Sequence, residues 1–167
     1  IEGYRITECL YSGAQTQTYR AIQTTQERQV VLKVLSKAVP TLAEVAQIRN
    51  QYAIANKLPL AGIVRPLGLE PYNGGQALVM EDWVGISLDR IAQPLSLDVV
   101  LSIGVQMADI LQSLHQHRVI HKDIKPADIL RRPDSGQIKL INCSVASVLP
   151  KETQALQSPQ TLEGTLA

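Results

Sequence analysis

An excess of charge of either sign is missing from this chain. Sixteen Lys and Arg stand against fifteen Asp and Glu, a net charge of +1 over 167 residues. That balance offers no basic field for a nucleic-acid backbone and no polybasic run for a membrane surface. Long apolar runs are missing as well: they read as far too short to span a bilayer, and Ile1 opens no signal-peptide pattern. Cysteine is scarce. Cys9 and Cys143 lie in unlike surroundings without metal-ligand spacing, so reduced thiols in a cytoplasmic protein are expected. There is no internal repeat and no low-complexity block. With 45% hydrophobic and 19% charged residues the composition is globular, and the length suffices for one real core.

Residues 4–38 read as three strands: "YRITECLY" is broken by "SGAQ", "TQTYRAIQ" follows, and polar "TTQER" precedes "QVVLKVLS". Thr41 and Glu44 have capping-box spacing, so a helix starts there. Its expected apolar stripe is Leu42, Val45, Ile48, Tyr52 and Ala55, ending near Pro59 and Gly62. "IVRPLGLEPY" and "QALVM" flank Asn73-Gly74, a dipeptide favoured by tight hairpins. In the second half "GISLDRIA" reads as a short helix. Ser96 then caps a longer one, reaching about His117, with Val100, Gly104, Met107, Leu111 and Leu114 on one face. "DILRR" and "QIKLI" pair across "PDSG". Nothing after Asn142 is periodic.

Two stretches carry the chemistry. "HKDIKPADIL", His121 to Leu130, places acids at 123 and 128 and a lysine at 125, and "LINCSVAS" follows with Asn142. Taken in order with "VVLKVL", "ALVMEDWVGISL" and "LEGTLA", they resemble the phosphoryl-transfer machinery of protein kinases. "HKDIKPADIL", "LPKETQ" and "LEGTLA" further resemble the amino-terminal kinase domain of large bacterial, especially cyanobacterial, multidomain sensor kinases. The resemblance implies an α+β, protein-kinase-like two-lobe fold. Its small lobe, residues 1–80, would be a five-stranded antiparallel sheet with one helix. Residues 81–86 would be the hinge, and 87–167 a truncated helical large lobe of a fragment with further domains beyond it. It implies ATP and Mg²⁺ as cofactors and a protein Ser/Thr hydroxyl as substrate. Asp123 would orient that hydroxyl and accept its proton, and Lys125 would neutralise the phosphoryl group in flight. Lys33 would hold the α- and β-phosphates. Met80 would gate the adenine pocket, with the Glu81 and Trp83 backbone on the adenine edge. Gly13, Thr18, Gln51 and Leu130 complete the nucleotide-contacting set, and Asp128 and Asn142 the metal-binding pair.

The chain departs from the family pattern at four places. Gly13 is the one glycine of three retained in "YSGAQTQT", with Tyr11 and Thr16 at the others, so the backbone approaches phosphates less freely. Gln51, eighteen residues after Lys33, stands where an acid is usual and cannot form the ion pair. Glu44 reads as a cap instead. The usual metal-binding Asn and Asp are exchanged, as Asp128 and Asn142, which retains one carboxylate and one amide. Cys143 stands where phenylalanine is usual, a smaller side chain with a looser contact. A kinase is therefore one reading; a pseudokinase that binds nucleotide or docks a partner, with little catalysis, is the other. A purely structural domain would need neither Lys33 nor Asp123.

Overall fold

A computed structural model describes residues 1–58 and 61–149, so "LEGTLA" and most of "LPKETQ" lie outside the described residues. The chain divides into two compact units, and the change from one to the other falls between Val84 and Gly85. Residues 61–63 belong with the second.

The first unit is a five-stranded antiparallel sheet with one helix. Its strands are β1 (Tyr4–Ser12), β2 (Thr16–Gln23), β3 (Arg28–Leu35), β4 (Pro66–Tyr72) and β5 (Gly75–Glu81), in the order β1-β2-β3-β5-β4. Alternation along the strands separates two faces. One buries Ala21, Val30, Leu32 and Val79 against Ile1, Tyr4 and Leu67. Asn73 (φ 43) and Gly74 (φ 69) take the left-handed geometry that a two-residue hairpin between β4 and β5 requires.

The helix α1 (Leu42–Lys57) follows β3. Its inward stripe is Glu44, Ile48, Gln51, Ile54 and Ala55. This corrects the expected stripe by about half a turn at its start: Leu42 is 91% exposed, because the capping box turns Glu44 inward instead. Thr41 accepts from the Glu44 N–H at 3.3 Å, and the Glu44 carboxylate accepts from the Thr41 N–H at 2.8 Å. Lys37 lies 2.8 Å from the same carboxylate. The Lys37 ammonium and the Thr41 donors hold the Glu44 carboxyl at about 2, against an ordinary 4.5. Because the folded value is the lower one, this stabilisation is complete above about 4.5 and lost as pH falls toward 2. Glu44→Gln should therefore flatten the acid limb of a melting-temperature-against-pH curve of the full-length protein across that window. Parallel curves for parent and variant would reject the assignment.

The second unit is built on α2 (Leu97–Gln116), preceded by β6 (Ile86–Ser87) and a turn of 3₁₀ helix at Leu88–Arg90. The sequence reading of one short helix over 85–92 is thus corrected: Ile86 and Ser87 are claimed by pairing with Arg131 and Leu130. After α2 come β7 (Val119–Ile120), β8 (Ile129–Arg131), β9 (Ile138–Leu140) and β10 (Ser147–Val148). The β8–β9 hairpin forms as expected, with Gly136 (φ 69) in its turn. β10, which no periodicity announces, pairs with β7.

On α2, Ile110 and Leu114 are buried, and Val99, Ile103, Met107 and Leu111 are half-buried beside them. Val100 and Gly104, expected inside, are exposed. Gln106 fixes this rotation: its amide accepts from the Ile138 N–H at 3.1 Å and donates to the Gly136 carbonyl at 3.1 Å. α2 is long and apolar enough, by length and composition, to cross a membrane, which amends the expectation that no run suffices. Here it packs on β7 and β9. At Gly62 a Cβ would strike the Ile110 side chain, so the chain passes α2 at a distance only glycine allows. The Gly62 carbonyl there accepts from the Leu140 N–H at 2.9 Å.

Candidate active site

In the first unit, cross-strand register places Tyr11, Thr18, Lys33 and Leu78 in one row across β1, β2, β3 and β5, so they share a face. Lys33 donates to Gln51 Oε1 of α1 at 2.9 Å. The Gln51 amide nitrogen is in turn 3.9 Å from Met80 Sδ. Lys33, Gln51 and Met80 are thus brought together, and eighteen residues of spacing suffice to find the helix partner. The acceptor is an amide oxygen rather than a carboxylate, so Lys33 gains a hydrogen bond here but no ion pair. Gly13 lies under the Tyr11 ring, which fills the place a Cβ at 13 would take. The open approach a glycine there would give is covered by this aromatic side chain.

The segment after β5 is held at several points. The Glu81 N–H donates to the Arg65 carbonyl at 2.9 Å, and the Glu81 carboxylate accepts from the Arg65 N–H at 3.0 Å. The Trp83 N–H donates to the Glu81 carbonyl at 3.1 Å, so the two backbone groups assigned to one ligand edge meet in a single tight turn. Asp82, whose side chain is only 6% exposed, accepts from Arg20 Nε of β2 at 2.7 Å. The same guanidinium reaches Glu8 of β1, a more exposed partner and so worth little. Sequence reasoning missed the Arg20–Asp82 pair, since 62 residues separate its members and no local pattern joins them.

In the second unit the four residues expected to act together form one connected set. Lys125 Nζ is 2.8 Å from Asp123 Oδ2 and 3.5 Å from Asp128 Oδ2. Asn142 Nδ2 donates to Asp128 Oδ2 at 3.2 Å, and its Oδ1 accepts from the Ser144 N–H at 3.2 Å. The loop is placed by a one-turn 3₁₀ helix, Pro126–Asp128, and by two backbone bonds of Asp128, to the Lys125 carbonyl and from the Ile141 N–H, each 3.0 Å. Lys122 takes φ 70, an unfavourable angle for a side-chain-bearing residue next to Asp123. Burial alone would lower the Lys125 ammonium, but the Asp123 hydrogen bond and the two carboxylate charges outweigh it and raise it. Leu130 sits half-buried on β8 opposite Ser87 and Lys139.

His121 is 2% exposed and its Nε2 has no hydrogen-bond partner of ordinary geometry. Burial pushes its imidazole below the usual value, opposed by the Asn142 backbone and the charges of Asp128 and Asp123. The shift favours its neutral form. Cys143, beside Asn142, is buried, and neither cysteine forms a disulfide.

Among the described residues no group of three or more His, Cys, Asp or Glu side chains is placed to hold a metal ion. Asp128 and Asn142 offer one carboxylate and one amide, 3.2 Å apart. This suits Mg²⁺, which takes one or two protein oxygens and completes its shell with water and phosphates.

Residues 4–167 match the protein kinase domain family, and the chain belongs to it. Among similar proteins, a probable serine/threonine-protein kinase of Bifidobacterium longum is 31% identical over 175 residues, covering all of this chain and 23% of that protein. One from Clostridium perfringens is 27% identical over 157 residues, covering 91% and 23%. The serine/threonine-protein kinase PknK of Mycobacterium tuberculosis is 28% identical, covering 97% and 16%. The chain therefore spans a quarter or less of the length of these relatives.

Proposed function

We propose that this chain is the ATP-binding and phosphoryl-transferring part of a protein serine/threonine kinase that works in signal transduction. The observation that carries this reading is the connected set Asp123–Lys125–Asp128–Asn142, in which one ammonium bridges two carboxylates and an amide secures the second. Asp123 accepts the proton of a protein hydroxyl and orients its oxygen. Lys125, kept protonated by both acids, offers its charge to the transferring group. Lys33, steered by Gln51, anchors phosphates, and the Glu81 carbonyl and Trp83 N–H exchange their mutual bond for the edge of an adenine. Asp128, backed by its hydrogen bond from Asn142, would hold Mg²⁺, which supplies neutralisation of phosphate charge. The serine/threonine specificity named for the relatives, the multidomain context and a cytoplasmic setting belong to the same proposal.

A second reading, a pseudokinase that binds nucleotide without transfer, is favoured by Tyr11 lying over Gly13 and by Lys33 meeting an amide where an ion-pairing carboxylate is usual. The two are separated in the full-length protein by incubation with γ-labelled ATP and Mg²⁺ alongside thermal unfolding with ATP. The kinase reading expects label on serine or threonine and a nucleotide-induced rise in melting temperature, both reduced in Lys33→Ala. A rise without any label would establish the second reading.

A further inference from the structure

We infer that Asp128 alone carries the charge that holds a divalent cation in this chain, and that Asn142 is a positioning latch for Asp128 rather than a metal ligand. The inference rests on the nucleotide-binding reading above and assigns roles within its metal-binding pair. Two partners of the Asn142 side chain, Ser144 and Asp128, fix the orientation of its amide by their chemistry. The Ser144 backbone N–H can only donate, so it takes the amide oxygen. The Asp128 carboxylate can only accept, so it takes the amide nitrogen. Turning the amide over would set two donors against each other at Ser144 and two acceptors at Asp128. As the amide stands, its nitrogen and not its oxygen faces the Asp128 carboxylate, and turning the oxygen to that side breaks both hydrogen bonds. The Asn142 amide and the Lys125 ammonium both address Oδ2 of Asp128, so neither competes for Oδ1. Asp128 is 8% exposed and its backbone is tied at both ends, so the latch acts on an already placed group.

This also accounts for the exchange of residue types. A carboxylate and a carboxamide across 3.2 Å form one hydrogen bond whichever position holds the acid. The pairing survives the swap, and only the site of the charge moves. Two carboxylates in that place repel unless a cation lies between them, and two amides leave the cation no charge.

The test is thermal unfolding of the full-length protein with ADP, titrated with Mg²⁺, reading the Mg²⁺ concentration at half-maximal shift. Binding of Mn²⁺, followed by water-proton relaxation in the presence of ADP, gives an independent readout of the cation. For the parent a Mg²⁺-dependent shift is expected. Asp128→Asn should raise the half-point at least about tenfold, the loss expected for a charged ligand. Asn142→Ala should raise it only a few-fold. Asn142→Asp should lower it, and Asp128→Asn with Asn142→Asp should return it near the parent. The double variant restores one acid and one amide, so it carries the test if a single variant fails to fold. An Asn142→Ala loss equal to that of Asp128→Asn would make Asn142 a ligand and overturn the inference. A nucleotide shift insensitive to Mg²⁺ overturns it while leaving nucleotide binding intact. No nucleotide shift in the parent overturns the reading beneath it.

Discussion

Asp123→Ala in the full-length protein should lower phosphoryl transfer from ATP by about 10²–10⁴-fold, the usual worth of a positioned general base, while nucleotide binding changes little. The geometry separates the two effects. Asp123 interacts with the loop lysine Lys125, 2.8 Å away, whereas Lys33, the proposed phosphate anchor, is held by Gln51 within the other unit of the chain. Removing the carboxylate also takes from Lys125 its shortest ion pair, leaving Asp128 at 3.5 Å as its partner. The ammonium should then swing toward Asp128, and Asp123→Asn, which retains a hydrogen-bonding oxygen, should lose less than Asp123→Ala. Steady-state transfer with saturating ATP and a nucleotide thermal shift on the same preparation provide the check. Undiminished transfer in Asp123→Ala would refute the role of base.

Leu140→Ala should cost about 2–5 kcal/mol, the range for truncating a buried leucine into a site that relaxes only in part. Leu140 has no exposed surface and pairs with Ile129 across β8 and β9. It is also bridged to Ile63, with its N–H on the Gly62 carbonyl. The cavity would open directly under the backbone that places the site, because the next residue, Ile141, donates to the Asp128 carbonyl. Leu140→Met, which nearly conserves volume, should cost below about 1.5 kcal/mol. Hydrogen exchange read on peptides covering β8 and β9 during urea unfolding of the full-length protein separates this local loss from the behaviour of other domains. A cost under about 1 kcal/mol for Leu140→Ala would mean that β9 is not the support of the loop.

What the amino-acid sequence determined on its own was whatever depends on near neighbours or on counting. Asn73-Gly74 demands a turn that few other dipeptides tolerate, and the hairpin is there. Thr41 and Glu44 cap their helix because the three-residue spacing brings side chain to backbone without help from the rest of the fold. The partner of Lys33 was located at Gln51 through the family resemblance, which places it eighteen residues on, and the structure pairs the two. The tertiary structure decided which faces these elements turn inward. Helix α2 is apolar nearly all round, with Val100, Leu101 and Val105 as well as Ile103 and Ile110, so periodicity alone selects no single buried stripe. Gln106, bonded to the β8–β9 turn, selects it. Ile86 and Ser87 follow β8 rather than their local helical pattern because a cross-strand partner satisfies more backbone groups than a two-residue turn can. Asn142 presents its nitrogen and not its oxygen to Asp128 because Ser144 donates from the other side. An amide's residue type states what it can donate or accept, and only the groups placed around it state which it does.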